Sequence, residues 1–363
     1  MSSQQFSRRH FLGSLTVGST AAFTGLAYRQ PDNKNTYFNE DLPADRTINV
    51  VSLQKFNDAD VSKIKSAGKN IKLEIADEQS SPAFENAEVI IGDPDASTIA
   101  RAKKLKWVQV MHAGVENMPP EMKSHPLVLT NMQKVLGPVI AESAIALLLS
   151  LTRGLAQFAF PNFQNKKWAY NPPKDVVLDD LYNKTIGIVG MGGIGSETAR
   201  RLHYGFNMHV LGTDAKPMHK PDFVDELHDP SWFMEMVPKV DVLMSAAPLT
   251  KETKEMFNAE VFNKMKPSAY FINVSRGGLV KQSDLVDALQ NKRIRGAGLD
   301  VATPEPLPAS DPLWTCPNVA LTAHNSSNAA IRAVRVMDLL TENLRRYSLN
   351  LPLMNVVDKE KGY

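Results

Sequence analysis

Residues 184–195 read KTIGIVGMGGIG, a short apolar run that leads directly into a cluster of glycines. A helix-forming run at 196–202 follows without a break. In such a strand, turn and helix, Gly190 permits a tight turn, Gly192 lets the backbone approach a ligand, and Gly195 lets helix and strand pack closely. Because the first N–H groups of a helix are free to bind anions, the pattern predicts a turn that holds the pyrophosphate of a dinucleotide.

The residue at the end of the next predicted strand bears on which dinucleotide binds. That strand, 208–213, is followed by Asp214, 19 positions beyond Gly195. A carboxylate there can accept both ribose hydroxyls of NAD and repels the 2′-phosphate of NADP. Lys216 and His219 lie just downstream and can weaken this discrimination, so the prediction is NAD, with NADP possible. The alternative is a glycine-rich turn that binds no ligand. The predicted coenzyme contacts in this region are Gly190, Gly192, Gly193, Ile194, Gly195 and Asp214.

Short apolar strands alternate with helical stretches on both sides of this motif, which is the pattern of a parallel α/β sheet. The run 139–153 predicts an uninterrupted helix that is apolar on nearly all sides, and we expect it to be buried between domains. A second series of strands and helices opens at Thr185. The earlier elements are predicted as strands at 48–52, 71–75, 89–92 and 107–111 and a helix at 58–67.

The composition sets limits on domain number and partners. At 363 residues the chain is longer than the roughly 250–300 that one core usually supports, which predicts two domains. Hydrophobic residues make up 43% and the net charge is +2 with both signs intermixed. Neither a membrane span of about 20 apolar residues nor a basic nucleic-acid surface is expected. Cys316 is the only cysteine, which excludes an intrachain disulfide and a multi-cysteine metal site. It is interpreted as a semi-buried residue rather than a nucleophile, and no metal is predicted.

The N-terminal segment differs from the rest of the chain. Arg8 and Arg9 precede a weakly apolar stretch, 11–27, that is rich in Gly, Ser, Thr and Ala and ends in small residues suited to cleavage. This layout is typical of a twin-arginine export signal, and the short, mildly hydrophobic run argues against a membrane anchor. We therefore expect a signal peptide at 1–27, a polar linker at 28–45 and a periplasmic protein. The alternative is a disordered tail on a cytoplasmic protein, in which the arginine pair occurs by chance.

Downstream segments carry an ordered set of motifs. They read AAPLTKET at 246–253, FINVSRGG at 271–278, GLDVATPEPLP at 298–308 and LTAHN at 321–325. With the glycine turn, they make the chain from about residue 46 onward closely resemble the D-isomer-specific 2-hydroxyacid dehydrogenases. That family includes D-lactate, glycerate, hydroxypyruvate and phosphoglycerate dehydrogenases. The resemblance implies hydride transfer between NAD(H) and C2 of a small 2-oxo or D-2-hydroxy acid of the glyoxylate, hydroxypyruvate or pyruvate class.

The resemblance also implies catalytic roles for Arg276, Glu305 and His324, and their chemistry favours the same roles. The planar guanidinium of Arg276 suits a carboxylate and a ketone oxygen. Histidine titrates nearest physiological pH, so His324 can protonate the oxygen on C2. A carboxylate at Glu305 would orient the imidazole and favour its protonated form. Taken singly, the alternatives are a surface ion-pair arginine, a loop glutamate beside prolines and a hydrogen-bonding histidine at a strand end.

Other positions match the family in its binding loops. The segment HAGVE contains Gly114 and Val115, whose backbone amides the resemblance implies as substrate-carboxylate ligands. Asp300 matches a residue near the nicotinamide carboxamide, and Pro248 and Val274 match positions that line the coenzyme cleft. Ordinary turns and strand ends are the alternatives.

The chain departs from the family pattern around His324. The family commonly has Thr-Pro-His where this chain has Thr-Ala323-His, and it often has a glycine where this chain has Ser327. Because proline stiffens the backbone, its loss predicts a looser or reshaped loop. We expect this to affect substrate preference more than the role of the histidine.

By resemblance, the fold is α/β, with two Rossmann-like or flavodoxin-like, doubly wound parallel-sheet domains and an active-site cleft between them. The substrate domain is expected to comprise 46–151 and 329–363, the coenzyme domain 152–328, and the assembly a homodimer. The expected partner is a small 2-oxo or 2-hydroxy acid, without nucleic acid and without stable membrane association. The alternative function is a non-catalytic, nicotinamide-responsive binding protein like the corepressors of the family. Export would argue against it, and a turnover assay distinguishes the two.

Overall fold

The computed structural model describes residues 46–174, 176–316 and 318–363. The predicted signal peptide and linker therefore lie outside the described residues. The described chain forms two parallel sheets with helices on their faces. The first sheet contains β1 (Ile48–Ser52), β2 (Ile71–Ile75), β3 (Val89–Ile91), β4 (Trp107–Gln109) and β5 (Val128–Thr130). The second contains β6 (Thr185–Val189), β7 (His209–Thr213), β8 (Glu226–His228), β9 (Val242–Ser245), β10 (Tyr270–Asn273), β11 (Gly296–Leu299) and β12 (Val319–Leu321).

Helices connect the strands, and polar side chains cap several of them. Asn57 accepts a hydrogen bond from an N–H in the first turn of the first helix, and Asp95 does the same for the second. The helices are α1 (Asp58–Ser66), α2 (Ala96–Arg101), α3 (Pro120–Ser124), α4 (Gly137–Thr152), α5 (Phe160–Gln164), α6 (Gly193–Phe206), α7 (Phe233–Met236), α8 (Ala259–Lys264), α9 (Gln282–Gln290) and α10 (Arg332–Ser348). Short 3-10 turns lie at Pro82–Asn86, Pro230–Trp232, Val237–Lys239, Gly277–Leu279 and Pro312–Thr315, and a π-helical turn lies at Leu155–Ala159.

The first sheet has the strand order β2-β1-β3-β4-β5 and is parallel throughout. Successive side chains of a strand point to opposite faces. Accordingly, Ile48 and Val50 belong to one hydrophobic cluster and Val51 to another on the opposite face. Because both faces of the inner strand β3 are covered, its sequence is a continuous apolar run, whereas the edge strand β2 (IKLEI) carries charged residues at exposed positions.

The second sheet has the order β12-β11-β10-β9-β6-β7-β8 and is also parallel. The chain enters at β6, builds outward to β8, and then crosses back to β9 on the other side of β6. Where the strand order reverses, the connections leave in opposite directions and open a crevice at the carboxyl ends of the strands. The two α/β sheets predicted from the sequence are thus confirmed.

The sequence predicts burial of helix α4 on nearly all sides, whereas eight of its 16 residues are buried; the helix packs on the second sheet. Leu147, Leu148 and Leu151 share a hydrophobic cluster with Ile186 and Ile188 of β6. The assignment of 46–151 to the substrate domain groups this helix with the first sheet, whereas its buried side chains contact the second.

The C-terminal part of the chain returns to the first sheet. Leu340 and Leu344 of α10 are fully buried in the cluster that covers β1, β3 and β4. The ring of Tyr347 lies 5.3 Å from that of Trp107, and its hydroxyl donates to Glu88 Oε1 at 2.5 Å. The first sheet is therefore completed by residues more than 200 positions from its strands.

Among the residues that the structure describes, no single helix is both long and apolar enough to cross a membrane. The helical segments Gly137–Thr152 and Leu155–Gln164 are long and apolar enough only when they are taken together, and they bend by 57° where they meet.

Candidate active site

The glycine turn lies between the carboxyl end of β6 and the start of α6. Gly190 has a φ of +94°, and a β-carbon there would lie 2.8 Å from the backbone of Ala246 and Ala247, so only glycine fits. A β-carbon on Gly195 would collide with the Gly190 carbonyl, whereas one on Gly192 would meet nothing within 4 Å. This open space in front of a 14-residue helix fits a pyrophosphate, since the helix presents N–H groups to it.

The other two predicted coenzyme contacts in the turn, Gly193 and Ile194, have packing roles. A β-carbon on Gly193 would lie 2.6 Å from the Lys134 Cα, so this glycine allows the chain before α4 to approach the turn closely. Ile194 packs against the hydrophobic cluster under the second sheet. Both therefore fix the shape of the turn whether or not they contact the coenzyme.

Asp214 follows β7 and braces the glycine turn. Its Oδ2 accepts the Met191 N–H at 2.8 Å, and its Oδ1 accepts the Lys216 N–H at 2.8 Å. Each carboxylate oxygen has a further lone pair, so Asp214 can also accept ribose hydroxyls. Lys216 Nζ lies 4.5 Å from the centre of the Tyr363 ring, and burial lowers the pKa of this ammonium. A lysine is thus held close to the predicted ribose site.

Replacing Asp214 by alanine is expected to raise the KM for NADH by about tenfold or more, because a charged acceptor of the ribose hydroxyls is lost. The KM for NADPH should change less, since the variant also loses its repulsion of a 2′-phosphate. Steady-state kinetics with both coenzymes measure the ratio. Asp222→Ala, which removes an exposed carboxylate ahead of β8, is the control. An unchanged NADH/NADPH ratio in Asp214→Ala would disprove the assignment.

The predicted catalytic residues follow neighbouring strands: Arg276 follows β10, Glu305 follows β11 and His324 follows β12. Their loops therefore share the edge of the sheet at which ligands of such folds bind. The structure brings Glu305 and His324 into direct contact, with 2.7 Å between Glu305 Oε2 and His324 Nδ1. Both side chains are partly exposed. Because Nδ1 is engaged, Nε2 is the ring nitrogen that can meet a substrate.

The loop that carries His324 is fixed by a buried carboxylate. His324 has a φ of 50°, in the left-handed region, and its N–H donates to the Asp300 carbonyl at 2.7 Å. The Asp300 side chain is 1% exposed and accepts the Thr322 hydroxyl at 2.6 Å and the N–H groups of Asn325 and Ser326 at 3.1 Å each. The absence of the family's proline before His324 predicts a looser loop. In the structure, these hydrogen bonds hold the loop in place. The contact of Asp300 with the nicotinamide carboxamide stays a prediction.

Close backbone approach joins the loops after β10 and β11. A β-carbon on Gly277 would collide with the Ala302 carbonyl and lie 2.6 Å from Thr303 Oγ1. The Asn273 side-chain amide donates to the Arg276 carbonyl at 2.9 Å. The backbone at Arg276 is thus positioned from both sides against the segment that leads to Glu305.

The Arg276 guanidinium is held by two oxygen acceptors. Nη1 donates to the Ser275 carbonyl at 2.8 Å, and Nε donates to Glu116 Oε1 at 2.5 Å. Glu116 belongs to the loop after β4, so this ion pair joins the loop of the predicted substrate amides to the predicted substrate arginine. The Arg276 side chain is 29% exposed, which leaves part of the fork open to a ligand.

The predicted substrate loop presents two backbone amides. Val115 is 5% exposed and packs into a cluster under the first sheet, which anchors the loop. Within the described part of the chain, neither the Gly114 nor the Val115 N–H donates to a protein acceptor. Amides placed next to Arg276 can bind a carboxylate.

His112 ties this loop to the end of β3. Its Nε2 lies 2.6 Å from Asp93 Oδ1 and its Nδ1 lies 2.6 Å from the Gly114 carbonyl oxygen. Both partners are acceptors, so both contacts are hydrogen bonds only when the ring carries two protons. The hydrogen bond to Asp93 outweighs burial and raises the pKa of His112, and the charge of nearby Glu116 acts in the same direction.

This pKa shift predicts a pH-dependent KM for the substrate. Since the pKa of His112 is raised in the folded protein, the imidazolium with both of its hydrogen bonds is fully formed below the ordinary pKa of 6.5. It loses its proton, and with it one of these hydrogen bonds, as the pH rises through the folded-state pKa. The KM for the 2-oxo acid should therefore rise over that interval above pH 6.5, while the KM for the coenzyme stays constant. In His112→Gln, which does not titrate, the rise should be absent. A KM profile that His112→Gln leaves unaltered would contradict this role.

The remaining predicted residues are partly structural. The Val274 side chain is 4% exposed within the core, so only its backbone can line the coenzyme cleft. Pro248 is exposed near the start of the loop after β9, where its carbonyl accepts the Thr253 hydroxyl at 2.7 Å. Burial raises the pKa of the Cys316 thiol, with a smaller contribution from Asp311, which suits a structural residue. No three His, Cys, Asp or Glu side chains cluster as a metal site in the described ranges.

Reasoning from the sequence missed polar groups that the site uses. Glu116 follows Val115 in the HAGVE segment. Its contact with Arg276 spans 160 positions, so no local sequence pattern predicts it. Asp93 lies two residues beyond the end of β3, and a polar residue just after a buried parallel strand is a signal that could have marked it. The loop-holding role of Asp300 could not be read from its motif.

Comparisons with known proteins agree with this geometry. The profile described as D-isomer specific 2-hydroxyacid dehydrogenase, NAD binding domain, matches residues 145–326. A glyoxylate/hydroxypyruvate reductase B of Escherichia fergusonii is 34% identical over 255 residues, which cover 69% of this chain and 78% of that protein. One of Klebsiella pneumoniae is 32% identical over 295 residues, which cover 78% and 90%. A D-isomer specific 2-hydroxyacid dehydrogenase from Xanthobacter autotrophicus, solved with NADPH and MES, superposes with a TM-score of 0.74 at 25% identity, covering 87% of this chain and all of that one.

The parallel sheet has a glycine turn at its switch point. Loops after three adjacent strands carry an arginine, a glutamate and a histidine. This combination defines an oxidoreductase that uses a nicotinamide coenzyme. The profile and the relatives specify the group within that class. The chain belongs to the D-isomer specific 2-hydroxyacid dehydrogenase family.

Proposed function

We propose that this enzyme reduces small 2-oxo acids of the glyoxylate and hydroxypyruvate class to the corresponding D-2-hydroxy acids. The contact between Glu305 and His324, 2.7 Å from Oε2 to Nδ1, carries the proposal, because it orients the ring of a histidine whose loop follows β12, at the same edge of the sheet as the loop of Arg276. The relatives named as glyoxylate/hydroxypyruvate reductases support the substrate class.

The polar groups of the site divide the tasks of this reaction among them. The amides of Gly114 and Val115 and the fork of Arg276 bind the substrate carboxylate and polarise the ketone. His324 Nε2 donates a proton to the oxygen on C2. Glu305 fixes the orientation of the imidazole ring and stabilises its positive charge.

The coenzyme supplies the reducing equivalent when it is bound. The open space at Gly192, the first turn of α6 and the carboxylate of Asp214 fit its pyrophosphate and ribose. An NADPH-dependent glyoxylate/hydroxypyruvate reductase from Sinorhizobium meliloti superposes on this chain with a TM-score of 0.68 at 25% identity, and the match covers 86% of this chain and 97% of that one. NADH and NADPH therefore both belong in the assay.

The test is a panel of glyoxylate, hydroxypyruvate, pyruvate and larger 2-oxo acids with each reduced coenzyme, followed by the loss of reduced-nicotinamide absorbance. We expect turnover with the smallest acids and a D-configured product by chiral chromatography. Coenzyme binding without turnover of any acid would instead favour a nicotinamide-responsive binding protein.

We propose that the protein is exported by the twin-arginine route and acts in the periplasm. The support is the layout of Arg8 and Arg9 ahead of the short apolar stretch at 11–27. Because that route carries folded proteins, the coenzyme can travel already bound. Changing both arginines to lysine should leave the full-length precursor inside the cell, as fractionation and immunoblotting would show. Uncleaved, cytoplasmic wild-type protein would mean that residues 1–27 are not a signal.

We also propose that the enzyme is a homodimer. Phe163, Trp168 and Tyr170, in and just after α5, are 82%, 85% and 85% exposed, and aromatic side chains are enriched in interfaces between protein chains. A second copy of the chain is the occupant that family membership favours. Light scattering on the eluting protein gives its mass, and the double substitution Trp168→Ala and Tyr170→Ala should shift that mass toward the monomer.

A further inference from the structure

Glu116 places a negative charge inside the site where the substrate carboxylate is proposed to bind. Its Oε1 accepts the Arg276 Nε–H at 2.5 Å. A β-carbon added to Gly114 would collide with both Arg276 Nη2 and Glu116 Oε2. The substrate loop, the guanidinium and this second carboxylate therefore meet at one point.

The charge of Glu116 depends on its neighbours. Burial alone would raise the pKa of this carboxyl, but the hydrogen bond and the charge of Arg276, with a smaller contribution from His112, lower it below its ordinary value. Glu116 is thus an anion at neutral pH, and Arg276 is the main source of its stabilisation.

Binding of a substrate carboxylate changes that balance. An acid that takes up donors of Arg276 brings a second negative charge next to Glu116 in a partly buried cleft, where like charges repel more strongly than in water. A hydroxyl on the substrate can donate a hydrogen bond to Glu116 and offset this cost. A further carboxylate on the substrate would add to the repulsion.

We propose that Glu116 is a specificity-determining residue that favours 2-oxo acids with a hydroxyl on C3 and rejects 2-oxo diacids. This inference rests on the proposed function, because it concerns which acids the same site accepts. It assigns substrate selection to a side chain, whereas the family resemblance assigns only backbone amides in this loop.

The experiment measures kcat/KM for hydroxypyruvate, pyruvate and oxaloacetate, which differ at C3 by a hydroxyl, a hydrogen and a carboxylate. In Glu116→Gln, the preference for hydroxypyruvate over pyruvate should fall about tenfold, since a charge-assisted hydrogen bond becomes a neutral one. Activity with oxaloacetate relative to pyruvate should rise about tenfold, since like-charge repulsion is removed. Fluorescence titration with reduced coenzyme verifies that the variant is folded.

Two further variants separate charge from local disturbance. Glu116→Asp keeps the carboxylate and should still reject oxaloacetate, whereas Glu121→Gln, a matched change on the exposed face of α3, should leave both ratios as in the wild type. An oxaloacetate ratio in Glu116→Gln within about threefold of wild type overturns the inference, whatever happens to hydroxypyruvate. If wild-type enzyme with bound coenzyme reduces none of the panel acids, the proposed function itself fails, and the two failures are therefore distinguishable.

Discussion

Replacing His324 by alanine is expected to reduce kcat for 2-oxo acid reduction by about 10²–10⁴-fold, the usual contribution of a general acid. The contact between its Nδ1 and Glu305 at 2.7 Å orients the ring, so the loss should fall on proton transfer rather than on binding. Coenzyme affinity, measured by fluorescence titration, should stay near wild type because the glycine turn follows a different strand.

A second substitution at His324 separates the effect on the loop backbone from the loss of the proton donor. His324 has a φ of 50°, a conformation that asparagine tolerates better than most side chains, so His324→Asn keeps the loop and removes the acid. It should lose as much turnover as His324→Ala. Glu305→Gln should show an intermediate loss, and His209→Ala, at the start of β7 in the other half of the second sheet, should show none. Near-wild-type turnover in both His324 variants would mean that another group in the cleft is the acid.

Replacing Arg276 by alanine is expected to lower kcat/KM by about 10- to 100-fold, which corresponds to losing a charged hydrogen bond worth about 1.5–3 kcal/mol. The KM for the acid should account for most of the change, with kcat falling as well because the ketone is no longer polarised. The variant also leaves Glu116 without the donor that now lies 2.5 Å away, and this unpaired anion further disfavours substrate binding.

Arg276→Lys is the informative companion variant. Lysine keeps the charge but not the planar fork that contacts Glu116 and the Ser275 carbonyl at once. It should recover only part of the lost activity, and steady-state kinetics with the best acid of the panel would show it. If Arg276→Ala left KM and kcat unchanged, the carboxylate would have to bind elsewhere in the cleft.

Local patterns predicted the elements of the fold well. Strands β1 and β2 begin and end at the predicted residues, and β6 begins at the predicted Thr185. Helix α4 begins at Gly137 and ends at Thr152, close to the predicted 139–153, because an uninterrupted apolar run has few ways to be satisfied except in a core. The packing of α4 on the second sheet was not predictable, since burial alone does not say which sheet a helix covers.

The site was predictable only where a residue type and its motif carry the chemistry. Gly190 and Gly195 are required by backbone geometry, so the sequence indicates them directly. Two contacts of the site join separate segments of the chain. Glu116 binds Arg276, and His112 binds Asp93. Such contacts depend on how two loops meet, and a single sequence contains no periodicity that reports it.

The return of the chain to the first sheet has a consequence for the order of folding. Leu340, Leu344 and Leu353 complete the apolar layer over β1 and β4, and Val357 reaches the opposite face. A ribosome therefore has to synthesise the whole second sheet before the first can close its core. The contiguous second sheet can fold as soon as it emerges, while the apolar surface around Trp107 waits uncovered for more than 200 residues of synthesis. We expect nascent chains stalled near residue 330 to bind chaperones through that surface, and release beyond residue 357 to end the binding.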